Sequence, residues 1–87
     1  MVQSRKIKKL TAQIKKLEKK IEKYEEKLEK AKIMMEEGKI TKAQYQKAKM
    51  EYSEKIRGLR GAIHRKEKAR LYAERELKEK EKKEKGH

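Results

Sequence analysis

Apolar residues recur in the first part of the chain at alternating intervals of three and four: Ile7, Leu10, Ile14, Leu17, Ile21, Tyr24, Leu28, Ala31 and Met35. That alternation puts one narrow apolar stripe on one face of a helix, at the two-in-seven density of a coiled-coil seam. It predicts a helix over about residues 4–37, roughly 50 Å long at 1.5 Å per residue. Ser4 is its expected N-cap. A second stripe follows at Tyr45, Ala48, Tyr52, Ile56, Leu59 and Ile63. Lys66 and Arg70 then interrupt it, and Ala69, Ala73 and Leu77 continue it thinly. From Glu74 to Lys85 only Leu77 is apolar. Helix is still expected there, because Glu74–Lys78, Glu76–Lys80, Glu79–Lys83 and Glu81–Lys85 set Glu four residues before Lys, the favourable order. Each pair contributes a few tenths of a kcal/mol, so fraying is expected near Gly86. The second helix is predicted over about residues 41–85.

Between the stripes lies Glu36-Glu37-Gly38-Lys39-Ile40-Thr41-Lys42-Ala43-Gln44-Tyr45. Gly38 suits the left-handed conformation that closes a helix. Thr41 suits an N-cap, and Gln44, three residues on, completes a capping box. Ile40 and Tyr45 stand at the positions of a hydrophobic staple. Together these signals predict a turn at 38–40 and a single hairpin domain over 4–85. A rival reading is one helix of about 120 Å. The phase of the first stripe, carried straight through, lands on Ile56, Leu59, Ile63, Ala73 and Leu77, with Gly38, Lys42 and Lys49 at poor core positions.

Folded antiparallel, Met35 meets Tyr45, Ala31 meets Ala48, Leu28 meets Tyr52 and Ile21 meets Leu59. Toward the open end Ile14 faces Lys66, and Leu10 faces Ala69 or Arg70. The first helix then has more apolar surface than the second covers, and burying one Leu or Ile contributes roughly 1.5–3 kcal/mol. The expected fold is all-α: an antiparallel two-helix coiled-coil hairpin assembling into a dimeric four-helix bundle. Its expected oligomerisation seam is Ile7, Leu10, Ile14, Leu17 and Ile21.

Gly38-Lys39-Ile40-Thr41-Lys42-Ala43-Gln44-Tyr45, with Lys49 four residues later, resembles the turn of the short helical-hairpin (SHOCT) domain over residues 28–52. That pattern is Gly-x-Ile-Thr-x-x-Glu-Phe/Tyr after an apolar helix. Gln44 departs from the usual Glu, and Tyr52 stands where the family tends to have Leu. The resemblance implies oligomerisation or protein contact, and no catalysis.

Composition narrows the function classes. Charged residues make up 51% of the 87 residues and hydrophobic ones 33%, too few for a compact globule but enough for zipped helices. Without Cys there is no disulfide or thiolate metal site. No apolar run approaches the ~20 residues of a membrane span. Met1–Lys6 lacks the apolar core of a signal peptide, so a cytoplasmic protein is expected. Abundant Lys and Glu with no Cys or Asn matches the compositional bias of thermophile proteins. His64 and His87 have no partner constellation for base or nucleophile chemistry. The Glu residues are spread along solvated faces, and no phosphate loop or zinc spacing occurs. No enzymatic activity, cofactor or metal is expected.

The net charge of +14 is uneven along the chain. Arg5–Lys20 carries eight basic residues against Glu18, and Arg57–Arg70 carries six against Glu67. A hairpin brings these two segments together at its open end. Dense positive charge favours phosphate contact through counterion release, and Arg adds bidentate geometry. The candidate nucleic-acid-binding residues are Arg5, Lys6, Lys8, Lys9, Lys15, Lys16, Arg57, Arg60, Arg65, Lys66 and Arg70. The patch lacks aromatics for base stacking, which points to duplex or structured RNA. Gly58 and Gly61, each costly within a helix, are read as close-packing points opposite Tyr24 or Glu18–Ile21. A flexible point or a close approach to a phosphate backbone, flanked by Arg57 and Arg60, is the second reading. The leading expectation is a self-associating basic protein that contacts RNA or DNA phosphates. The alternative is an oligomerisation module whose partners are other coiled-coil proteins. Attachment to anionic membranes is a minor reading, because the apolar stripe is already committed to coiled-coil packing.

Overall fold

The computed structural model describes the backbone of residues 5–85 and the side chains of residues 5–80. Helix α1 (Arg5–Glu36) and helix α2 (Lys42–Lys85) pack against each other as a hairpin 71 Å long and 17 × 13 Å across. The two stripes have found each other, and the single long helix is excluded. Ser4, His87, and the pairs Glu79–Lys83 and Glu81–Lys85 lie outside the described residues in whole or in part.

Local chemistry makes the turn. Gly38 takes a φ of +78°. Its N–H donates to the Met35 carbonyl at 3.0 Å, and the Lys39 N–H donates to the Met34 carbonyl at 2.8 Å. This is the double closure of a Schellman motif, which satisfies carbonyls that the helix end would leave unpaired. Thr41 then opens α2. Its Oγ1 accepts the Gln44 N–H at 3.1 Å, and Gln44 Oε1 accepts the Thr41 N–H at 2.8 Å. The capping box is complete, with Gln in place of Glu. Ile40 and Tyr45, at the staple positions, are both half-buried.

The core is a thin line of side chains. Ile14, Ile21 and Ile63 are buried at its centre, packed by Leu17, Ile56 and Leu59, and Ala73 is buried further out. Cross-helix contacts join Tyr24 to Tyr52, Gln13 to Lys66 and Thr11 to Arg70. Facing residue numbers therefore add to roughly 80, as one continuous antiparallel register requires.

Two expectations need correction, and one contact is new. Ile14 does face the Lys66 region, but it is only 4% exposed within one chain. The half-buried Lys66 sends its Nζ out to Gln13 Oε1 at 3.1 Å, and Arg70 Nη1 donates to Thr11 Oγ1 at 3.3 Å. Long cationic side chains can cover apolar surface with their methylene stems while the charged head reaches polar atoms. Ile14 therefore does not need a second chain to cover it. The ring of Tyr52 also reaches Tyr24, with centroids 5.8 Å apart, a contact the register argument did not anticipate. Finally, neither interior glycine serves helix approach. A Cβ at Gly58 would meet nothing within 4 Å, and one at Gly61 only Arg65 Nη1 at 3.8 Å.

Candidate nucleic-acid interface

Residues spaced three and four apart share a helix face. Between Lys9 and Lys30 every position of one such row on α1 is basic apart from Gln13: Lys9, Gln13, Lys16, Lys20, Lys23, Lys27 and Lys30. A second row, Glu18, Glu22, Glu25 and Glu29, is acidic. The two rows lie on opposite sides of the apolar stripe, and α2 meets each with different residues. On one side Lys20, Lys23, Tyr24 and Lys27 share an open cleft of about 460 Å3 with Lys55 and Gly58 of α2. On the other, Glu18, Glu22 and Glu25 face Arg60, His64 and Glu67. The hairpin thus has a lysine flank and a glutamate flank.

The electrostatics of the flanks differ. Arg60 Nη2 lies 3.6 Å from Glu25 Oε2 across the glutamate flank. The other ion pairs among the described residues are Lys39–Glu37 at 3.6 Å and Arg70–Glu74 at 4.0 Å. None involves the lysine row. Two ammonium groups instead lean on one ring: Lys27 Nζ is 5.6 Å and Lys55 Nζ 5.5 Å from the Tyr24 centroid. Such cation–π contacts contribute about 0.5–1 kcal/mol at exposed sites. They hold the ammoniums near the cleft without cancelling their charge.

The eleven residues expected to bind phosphate are distributed unevenly. Arg5, Lys6, Lys8, Lys9, Lys15 and Lys16 are exposed around the first half of α1. Lys66 and Arg70 are half-buried and engaged with Gln13, Thr11 and Glu74. Arg60 belongs to the glutamate flank, and Arg57 lines a separate cleft on α2 with Met50, Ser53 and Glu54. Arg65 is exposed and turns back along α2, its Nη1 3.8 Å from where a Cβ on Gly61 would stand. Sequence reasoning missed Lys20, Lys23, Lys27 and Lys55 as a group. The signal was present in the three-four spacing of the lysines, but counting charge by segment averages it with the interleaved glutamates. The patch also has an aromatic neighbour after all: Tyr72, two heptads from Gly58 on the same face, is 52% exposed.

Among the described residues no cluster of His, Cys, Asp or Glu could hold a metal ion, and no helix is long and apolar enough to cross a membrane. Comparison with protein-family models, curated proteins and solved structures finds no match. The likeness of residues 28–52 to the short helical-hairpin (SHOCT) domain therefore rests on the turn residues alone.

Proposed function

We propose that this protein is a non-enzymatic helical-hairpin protein that contacts the phosphate backbone of duplex DNA or structured RNA. The observation that carries this reading is the cross-helix pair of hydrogen bonds Lys66–Gln13 and Arg70–Thr11. They hold the two most basic segments of the chain side by side. Positive charge concentrated on one half of a rod displaces counterions from a polyanion, and that release drives binding. Contacts of this kind position a protein on nucleic acid without reading bases. Self-association into a four-helix assembly belongs to the same reading. It would use the half-buried edges of Ile7, Leu10 and Leu17, since Ile14 and Ile21 are enclosed by their own chain.

Fluorescence anisotropy with duplex DNA and an RNA hairpin tests this. Log affinity should fall with log salt by about 0.9 for each phosphate contacted on the DNA. Changing Lys9, Lys16 and Arg65 to Glu should weaken binding by about a hundredfold or more. The same change at Lys39, Lys42 and Lys47, near the turn, should matter far less. Tighter binding to an unstructured single strand would redirect the reading to stacking on Tyr72. No binding at about 50 mM salt, with light scattering showing a mass above 10.5 kDa, would favour an oligomerisation module with merely solubilising charges.

A further inference from the structure

Gly58 has no structural reason to be glycine. It lies inside α2 with ordinary helical backbone, since Gly38 is the one glycine with positive φ among the described residues. Its missing side chain does not make room for α1. In a helix interior glycine costs about 0.5–1 kcal/mol relative to Ala. Gly58 instead lines an open cleft, with nothing within 4 Å of where its Cβ would stand, and four lysines contributed by both helices ring that cleft. The lysines are crowded at spacings where like charges destabilise a helix by about 0.2–0.5 kcal/mol per pair. Two of their ammoniums are gathered at the Tyr24 ring. An anion seated there would relieve the repulsion, and a polyanion could continue along the row toward Lys16 and Lys30.

We propose that the Gly58 cleft, walled by Lys20, Lys23, Lys27 and Lys55 over Tyr24, seats a backbone phosphate of duplex nucleic acid. The lysine flank, not the open end as a whole, is then the binding face. This deepens the nucleic-acid reading and rests on it. The occupant is a phosphodiester because the cleft offers point positive charge and a shallow floor, with no acceptor set suited to reading a base.

The test is Gly58→Leu, measured with a short DNA duplex. It fills the cleft at constant net charge and replaces a poor helix former with a good one, so it does not act by unfolding the helix. Circular dichroism checks this directly. Affinity should fall about tenfold and the salt slope should drop by about one. Changing Lys23, Lys27 and Lys55 together to Gln should cost far more affinity than changing Lys19, Lys32 and Lys47, which removes the same charge. In the wild-type protein the Gly58 amide and Tyr24 ring resonances should shift in step with duplex binding. Wild-type affinity in Gly58→Leu, equal losses in the two lysine sets, or Gly58 and Tyr24 resonances that stay put during binding would each overturn the cleft while leaving the nucleic-acid reading standing. A wild-type protein that binds neither the DNA duplex nor an RNA hairpin would overturn both.

Discussion

Lys16, Lys20, Lys23, Lys27 and Lys30 run along one side of α1, and Glu18, Glu22, Glu25 and Glu29 run along the other. Both rows keep the same three-four step beside the same apolar seam, yet they fare differently in the fold. Glu25 gains a partner in Arg60 from α2. The lysines meet one more lysine, Lys55, and a glycine. For folding alone, an interleaved face would be better. The last third of α2 shows that arrangement in Glu74–Lys78 and Glu76–Lys80, where each Glu precedes a Lys by four. Separating the charges by side leaves few such pairs on α1, Glu26–Lys30 among them, and adds repulsion within each row. It also makes a surface with a continuous row of one sign, which is what a phosphate backbone requires. The contrast teaches that rows of the same spacing fare differently in one fold: the glutamate row gains a cationic partner from α2, while the lysine row gains a further lysine.

The largest effect should come from breaking the seam that keeps the flanks apart. Ile21→Ala removes a buried side chain that the thin core cannot easily replace. It should cost about 2–4 kcal/mol, read as a lower urea midpoint, and blur the distinction between flanks as the register loosens. A stability change under about 0.5 kcal/mol, typical of an exposed position, would contradict the described seam.

Gly38→Ala acts on the turn that folds α2 back to supply Lys55 and Gly58 to the lysine flank. At φ +78° a Cβ is strained even though nothing stands within 4 Å of it. A loss of about 1–2 kcal/mol is expected. Double electron–electron resonance between labels on α1 and α2 should then show whether a population of extended or domain-swapped chains appears. Unchanged stability would mean that the turn is held by its capping box and not by the glycine.

The smallest effect is the sharpest for the comparison itself. Lys23→Glu places a carboxylate four residues before Lys27 and within a row of lysines. Thermal denaturation at low salt should show a gain of about 0.5 kcal/mol, while duplex affinity falls. Opposite signs in the two measurements would establish that this row gives up stability for binding. Lower stability together with weaker binding would indicate that Lys23 supports the fold.

Much of the hairpin was legible because its signals are local. The Gly38 closure, the Thr41–Gln44 box and the two stripes each depend on residues within one or two turns of helix. The registers of both helices follow once the turn is placed. The candidate site was only half legible. Charge density grouped Lys9 and Lys16 with Arg60, which in the fold stands beside Glu25 on the glutamate flank. Lys66 and Arg70 were read as phosphate ligands by charge alone; that they are half-buried and bonded to Gln13 and Thr11 of α1 appears only in the fold.

By itself the sequence determined two helices, their turn, their apolar faces and the excess of positive charge. Periodicity and capping are properties of short stretches, so neighbouring residues suffice to read them. Only the tertiary structure decided which residues of α2 stand beside which flank of α1. It showed that Gly58 opens onto space, that Lys55 joins Lys20, Lys23 and Lys27 around it, and that one chain covers Ile14. Those facts depend on how the two helices are rotated about their own axes against each other. That rotation is set by side-chain packing between residues as far apart in the chain as Gln13 and Lys66, and no local rule supplies it.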